Sequence, residues 1–127
     1  MPPSPSRPKS KARIAAHRGG HRAEALAAWY LRLKFYRIIA RRTKTPLGEI
    51  DLIASRFGTT VFVEVKARAR AASLGETLES INQARIVRAA EYYLARHPGT
   101  ARQALRFDVI FLTPWRWPHH LVNAFGG

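Results

Sequence analysis

Two apolar runs in the middle of the chain carry charged residues where buried strands would carry none. The runs span residues 48–54 and 61–66. Because side chains alternate between the two faces of a strand, the first run predicts that Ile50 and Leu52 share one face. The six residues between the runs predict a hairpin with its turn near Phe57-Gly58, and they leave the turn type open.

The apolar faces of this hairpin also constrain its register. The register that keeps them together gives four opposed pairs: Leu52 with Val63, Ile50 with Val65, Asp51 with Glu64, and Glu49 with Lys66. Directly opposed Cβ atoms lie about 4.5–5.5 Å apart, so the two carboxylates repel unless a proton or a cation compensates. A hard divalent cation with oxygen ligands is the economical solution.

Hydrophobic spacing predicts the order helix, three strands, helix, and one or two further strands. The expected elements are a helix at residues 21–34, a strand around residues 38–39, the hairpin, a helix capped by Thr77 and running to about Arg96, and strands at residues 106–112 and 120–125. Leu26, Trp29, Tyr30 and Leu33 recur at helical spacing, and an alanine-rich face suits packing against a sheet. Nearly continuous apolar strands need cover on both sides, so we expect an α/β fold with a small mixed sheet flanked by helices.

Composition then narrows the class of protein. The length of 127 residues predicts one domain, at residues 14–127, behind a basic Pro- and Ser-rich tail at residues 1–13. Lys and Arg number 22 against 8 Asp and Glu, and a net charge of +14 attracts polyanions, nucleic acid first. The chain has no cysteine, no signal peptide and no apolar run of about 18 residues, so we expect no membrane partner and a cytoplasmic location.

The strings GEIDLIA, VFVEVKAR, RFDVIFL and NAF, in this order, carry a family resemblance over residues 21–125. The acid followed by acid-any-lysine resembles the signature of the PD-(D/E)XK nuclease superfamily, whose fold is an αβββαβ sandwich. The four strings together look like the YraN family of small, endonuclease-like bacterial proteins. The superfamily's proline is replaced by Ile50, as is usual in that family, and Asn82 stands where a lysine is common.

The resemblance implies a role for each matching residue. Asp51 and Glu64 would be the metal carboxylates, Lys66 the catalytic lysine, and Glu24 an accessory acid and metal ligand. Glu49 would be either a further accessory acid or the cross-strand partner of Lys66. We slightly favour the role as partner of Lys66. The implied cofactor is Mg²⁺ or Mn²⁺, which suits phosphodiester hydrolysis.

We therefore expect a metal-dependent endonuclease or nuclease-like DNA-binding protein, with branched DNA as one candidate substrate. The expected nucleic-acid contacts are Arg68, Arg70, Gln83, Arg85 and Arg88. The alternatives are a non-catalytic basic module that binds DNA or RNA and an adaptor for anionic membranes or acidic proteins. Related junction-resolving enzymes are dimers, so a homodimer is one expected assembly.

Three further sets of residues near the end of the chain have other expected roles. Asp108 is expected to pair with Arg106 rather than to bind metal. Trp115 and Trp117 either anchor their Pro-rich loop or stack on nucleobases, with the anchor favoured. His119 and His120 are adjacent on a strand and should point to opposite faces.

Overall fold

The computed structural model describes residues 21–68 and 74–126, so the predicted tail at residues 1–13 lies outside the described part. The strands are β1 (Arg37–Thr45), β2 (Gly48–Arg56), β3 (Thr59–Ala67), β4 (Ala104–Leu112) and β5 (His119–Phe125). The helices are α1 at residues 21–33, α2 (Leu74–Glu79), α3 (Gln83–Arg96) and the single turn α4 (Pro98–Ala101).

One five-stranded sheet joins all the strands in chain order. β1, β2 and β3 form an antiparallel meander, β4 returns parallel to β3, and β5 pairs antiparallel with β4. The parallel return is possible because the connection through α2 and α3 is long enough to cross over the sheet. The predicted mixed sheet flanked by helices is confirmed.

Helices cover both faces of the sheet. Ala27, Ala28 and Leu31 of α1 are fully buried against residues of β2, β3 and β4 such as Leu52 and Val63. On the other face α3 packs through Ala89, Ala90 and Tyr93 against Ile50, Ile53 and Phe62. Alanine lets a helix approach the sheet closely, and each buried large side chain contributes about 1.5–3 kcal/mol. The alanine-rich face of the first helix therefore packs on the sheet as predicted.

The outer face of α1 carries large apolar side chains that are half exposed. Leu26, Trp29 and Leu33 are 45 to 53% exposed, because the alanines and Leu31 occupy the face that meets the sheet. No described helix is long and apolar enough to cross a membrane.

The β2–β3 hairpin closes through a two-residue turn at Phe57 and Gly58, with φ of 51° and 77°. Two central residues with positive φ define the type I′ turn, whose twist matches that of the flanking strands. The position predicted for the turn is confirmed, and the tertiary structure supplies its type.

The ladder between β2 and β3 runs from Arg56 opposite Thr59 to Leu52 opposite Val63, which confirms the predicted register. The three further pairs expected beyond Leu52 are not ladder pairs in the described hairpin. The Val65 N–H instead donates to Asp51 Oδ2 at 2.8 Å, so a side chain replaces a strand partner. Ile50 packs under α3 while Leu52 packs under α1, so the shared face predicted for them is wrong.

The predicted second helix is two helices. Thr77 is buried within α2, which begins at Leu74, so its predicted capping role is wrong. The cap lies at Asn82, whose side chain accepts a hydrogen bond from the Arg85 N–H at 3.1 Å. Asparagine at this position satisfies a free N–H at the start of α3.

Candidate metal centre

Three carboxylates from two elements converge at one end of the sheet. Glu24 lies on α1, and Glu49 and Asp51 lie at the start of β2. One oxygen from each of the three lies within 4.8 Å of the other two. Glu24 is 7% exposed whereas Glu49 is exposed, so the cluster has a buried side and a side open to solvent.

Asp51 connects this cluster to β3. Its Oδ2 accepts from the Val65 N–H, which holds the carboxylate against the end of the hairpin ladder. The side chain of Glu64 also hydrogen-bonds to Asp51. The two carboxylates that sequence analysis set across the hairpin are therefore in contact, although they are not a ladder pair.

Crowding of these carboxylates shifts their acidity. Burial, followed by the negative charge of Asp51, raises the pKa of Glu24 from 4.5 to about 7. Burial also raises the pKa of Glu64. The hydrogen bond with Asp51 and the negative charge of Asp51 raise it further. Both groups bind a proton more tightly than free glutamate because they are buried and because Asp51 is anionic, and a cation would relieve the repulsion between the carboxylates.

Arg42 is a participant that sequence analysis missed. The pairs Arg41 with Leu52 and Thr43 with Ile50 put Arg42 opposite Asp51 on the neighbouring strand. Its Nε lies 3.2 Å from Glu24 Oε1, and its guanidinium also contacts His21. The signal available in the sequence was a positively charged residue in the middle of the strand that precedes Glu49 and Asp51.

The donor set suits a hard divalent cation. Glu24 Oε1 is buried and accepts no hydrogen bond, and Arg42 Nε lies 3.2 Å from it as an ion-pair partner. Carboxylate oxygens are the ligands that Mg²⁺ and Mn²⁺ prefer. Glu24, Glu49 and Asp51 could therefore hold such an ion, and Glu64 adjoins this group through its hydrogen bond to Asp51.

Lys66 lies beside the carboxylates. It follows Glu64 by two residues on β3, so both side chains leave the strand on the same face. The positive charge of Lys66 lowers the pKa of Glu64 against the effect of burial. Glu49, for which pairing with Lys66 was favoured, instead lies opposite Lys44 of β1 and joins the acidic cluster.

The predicted phosphate contacts fall in different places. Arg85 lies near enough to Glu64 to lower its pKa. A Cβ at Gly48 would meet Arg85 Cγ at 3.1 Å, and Gly48 has φ of 147°, so glycine is required there. Arg68 donates to Ser80 Oγ at 3.3 Å, while Gln83 and Arg88 are exposed on α3. Arg70 lies outside the described residues.

Asp108 belongs to a separate, saturated network. Its two oxygens accept four hydrogen bonds, from Arg106 Nε and Nη2, His120 Nε2 and the Asn123 N–H, at 2.6 to 2.9 Å. Although burial opposes ionisation, the bonds from His120 and Arg106 lower the pKa of Asp108 to about 2. The predicted pairing with Arg106 is confirmed. His120 and Lys34, whose Nζ lies 2.7 Å from His120 Nδ1, extend the network.

Comparison with known proteins adds a family but no activity. The family model described as "Uncharacterised protein family UPF0102" matches residues 23–112. A UPF0102 protein of a Chelativorans species is 52% identical over 116 residues, which cover 89% of this chain and 91% of the relative. A UPF0102 protein of Mesorhizobium japonicum is 51% identical over 121 residues, covering 93% and 94%. One from Rhodopseudomonas palustris is 51% identical over 120 residues, covering 94% and 92%.

Proposed function

The chain belongs to the uncharacterised protein family UPF0102, and we propose that it is a divalent-metal-dependent endonuclease that hydrolyses phosphodiester bonds in DNA. The observation that carries the proposal is the convergence of Glu24, Glu49 and Asp51. Glu64 is hydrogen-bonded to Asp51. The proposal includes the arrangement of the PD-(D/E)XK nucleases, in which the metal carboxylates and a lysine lie on neighbouring strands.

Each residue has a role that its position supports. Asp51, Glu64 and Glu24 would hold Mg²⁺ or Mn²⁺, with Asp51 kept in place by the Val65 N–H. When bound, the ion would supply positive charge to the phosphate and lower the pKa of a water molecule. Lys66 orients the attacking water or neutralises charge that develops on the phosphate in the transition state.

The surrounding arginines would bind phosphates of the DNA backbone. Arg85 is adjacent to Glu64, and the exposed side chains of Gln83 and Arg88 lie on the same helix. Guanidinium groups bind phosphate oxygens in a bidentate manner without reading sequence. A strand bound along the start of α3 would therefore bring a phosphate next to the carboxylates.

We predict that the purified full-length protein nicks or cleaves DNA with Mg²⁺ or Mn²⁺ and not in EDTA. Single-stranded, duplex and branched DNA should be tested in parallel because the substrate structure is part of the question. Asp51→Ala and Glu64→Ala should each lower the cleavage rate at least about 100-fold, since the lost ligands remove transition-state charge stabilisation.

The matched control is Glu91→Ala, which removes an exposed carboxylate from α3 outside the acidic cluster. It should cleave like wild type. Undiminished cleavage in both Asp51→Ala and Glu64→Ala would contradict the assignment. Tight DNA binding with no cleavage under any metal condition would favour a non-catalytic basic module instead.

A further inference from the structure

An exposed aromatic surface lies on α1 and on the loop between β4 and β5. The chain contains three tryptophans, Trp29, Trp115 and Trp117, and they are 45%, 101% and 72% exposed. The rings of Trp29 and Trp117 are parallel within 7°, with centroids 6.2 Å apart, and Tyr30 lies against Trp117. We call Trp29 and Trp117 together the tryptophan pair.

The exposure of these rings argues against a purely structural role. An aromatic residue that anchors a loop buries most of its ring area, whereas Trp115 is fully exposed and Trp117 nearly three-quarters exposed. Leu26 and Leu33 flank Trp29 on the outer face of α1 and are also about half exposed. A contiguous apolar surface of this kind marks a binding site.

A groove of about 370 Å³ opens beside this surface. It is lined by Arg22, Ala23, Leu26, Ala67, Arg68 and Pro114, among others. Leu26 lies one helical turn before Trp29, and Pro114 belongs to the loop that carries Trp117. Arg22 and Arg68 add two positive charges to its lining.

Trp29 follows Glu24 by five residues of α1, which separates the two side chains by about 7.5 Å along the helix axis and by about 140° around it. Glu24 contacts Arg42 of β1, whereas Trp29 stacks on Trp117 of the loop between β4 and β5. The tryptophan pair and the candidate centre therefore lie on different sides of α1.

The positive charge of the chain indicates which kind of partner binds this surface. A second copy of the chain is disfavoured because each copy carries a net charge of +14 and like charges repel. Arg32 is exposed on α1 three residues after Trp29, and Arg116 is exposed between the two loop tryptophans. Exposed rings interleaved with arginines form the kind of surface that binds single strands, through base stacking and backbone charge.

We infer that the tryptophan pair is a stacking platform for unpaired nucleobases, so that the preferred substrate carries a single-stranded segment. The substrate class rests on the proposed function, whereas the platform itself binds without metal and can be tested alone.

The test uses the intrinsic tryptophan fluorescence of the full-length protein in EDTA. All three tryptophans lie on α1 or the β4–β5 loop, so quenching reports on this surface. A short oligothymidylate should quench the emission, duplex DNA of equal length should quench it much less, and heparin, a polyanion without bases, should leave it unchanged. Trp29→Leu and Trp117→Leu should each weaken oligothymidylate binding about 5- to 100-fold, measured by fluorescence anisotropy of labelled DNA.

Phe57→Asn is the matched control. It removes an even more exposed ring at the hairpin turn, at the end of β3 away from Lys66, and should bind like wild type. Equal quenching by heparin, or unchanged affinity in both tryptophan variants, would overturn the platform. A response to vesicles containing phosphatidylserine but not to oligothymidylate at the same salt would also overturn it.

The two proposals fail separately. Tryptophan-dependent binding without cleavage would leave the platform standing and refute the nuclease. Asp51-dependent cleavage that is unaffected in Trp29→Leu would support the nuclease and refute the platform.

Discussion

At the scale of single residues, burial raises the pKa of Glu24, Glu64 and Asp108 alike, and the partners of each carboxyl group decide the net shift. Glu24 and Glu64 have raised pKa values because of burial first and of the neighbouring Asp51 second. Asp108 has a lowered pKa because four donors satisfy its oxygens. The number of donors around each carboxylate therefore separates a candidate metal ligand from a structural anion.

Asp108→Asn should destabilise the protein by about 3–5 kcal/mol at pH 7, because Arg106 and His120 lose their buried anionic partner. The pKa of Asp108 is lower in the folded protein, about 2, than in the unfolded chain, 3.8. Its stabilising contribution is therefore present above pH 4 and is lost as the pH falls through 2. Urea denaturation of both proteins at a series of pH values measures the effect.

The difference between wild type and Asp108→Asn should shrink as the pH falls from 4 towards 2. Glu91→Gln, an exposed carboxylate on α3, is the control and should change stability by less than about 0.5 kcal/mol. A difference of constant size over this range would contradict the assigned role of Asp108.

At the scale of elements, local sequence predicted the hairpin but not its irregularity. Alternating apolar residues and Gly58 were sufficient for the turn position and for the register at Leu52 and Val63. The opening of the ladder at Asp51 depends on a side chain that bonds to the main chain of β3. A local hydrophobic pattern indicates only which face of a strand each side chain occupies. It cannot predict that a side chain will accept the hydrogen bond that a neighbouring strand would otherwise accept.

The type I′ turn offers a test at this scale. Phe57 holds φ of 51°, a conformation that asparagine adopts at lower cost, and Asn-Gly is the preferred pair for this turn. Phe57→Asn should therefore stabilise the protein by about 0.5–1 kcal/mol and raise Tm by about 2–6 °C. Thermal unfolding followed by circular dichroism measures the shift.

Phe57→Ala separates backbone preference from loss of the exposed ring. Alanine removes the same ring and its contact with Arg56 but does not favour positive φ, so Tm should not rise. An equal rise in both variants would show that the ring, not the turn conformation, limits stability.

At the scale of the whole molecule, a negative centre lies in a positive field. The net charge is +14, yet four of the eight acidic residues gather at one end of the sheet: Glu24, Glu49, Asp51 and Glu64. A polyanion is attracted over a long range, while in the proposed function a cation would offset the charge of the acidic centre before a phosphate approaches it. Metal dependence and nucleic-acid affinity are thus expected to be separable.

DNA binding in EDTA should weaken steeply with salt, because each neutralised phosphate releases counterions. Arg85→Gln and Arg88→Gln should each lower the slope of log affinity against log salt concentration by about 0.9 if the arginine contacts one phosphate. Fluorescence anisotropy across a salt series measures the slope. Arg102→Gln, an exposed arginine after α4, is the control, and an equal effect there would indicate diffuse attraction instead of a defined path.

The sequence by itself determined the strands, the hairpin, the net charge and the presence of Asp51, Glu64 and Lys66 on neighbouring strands. These follow from periodicity and composition, which are local or additive properties. It also predicted cover on both faces of the sheet, because strands that are apolar on both faces need it.

Only the tertiary structure decided which distant residues meet. Packing of α1 through its alanines brings Glu24 to Asp51 and leaves Trp29 outside, stacked on Trp117. Arg42 faces the acidic cluster through the β1–β2 register, and His120 reaches Asp108 from β5. Such contacts depend on the rotation of a helix over a sheet and on strand register, which the burial of the whole core selects together.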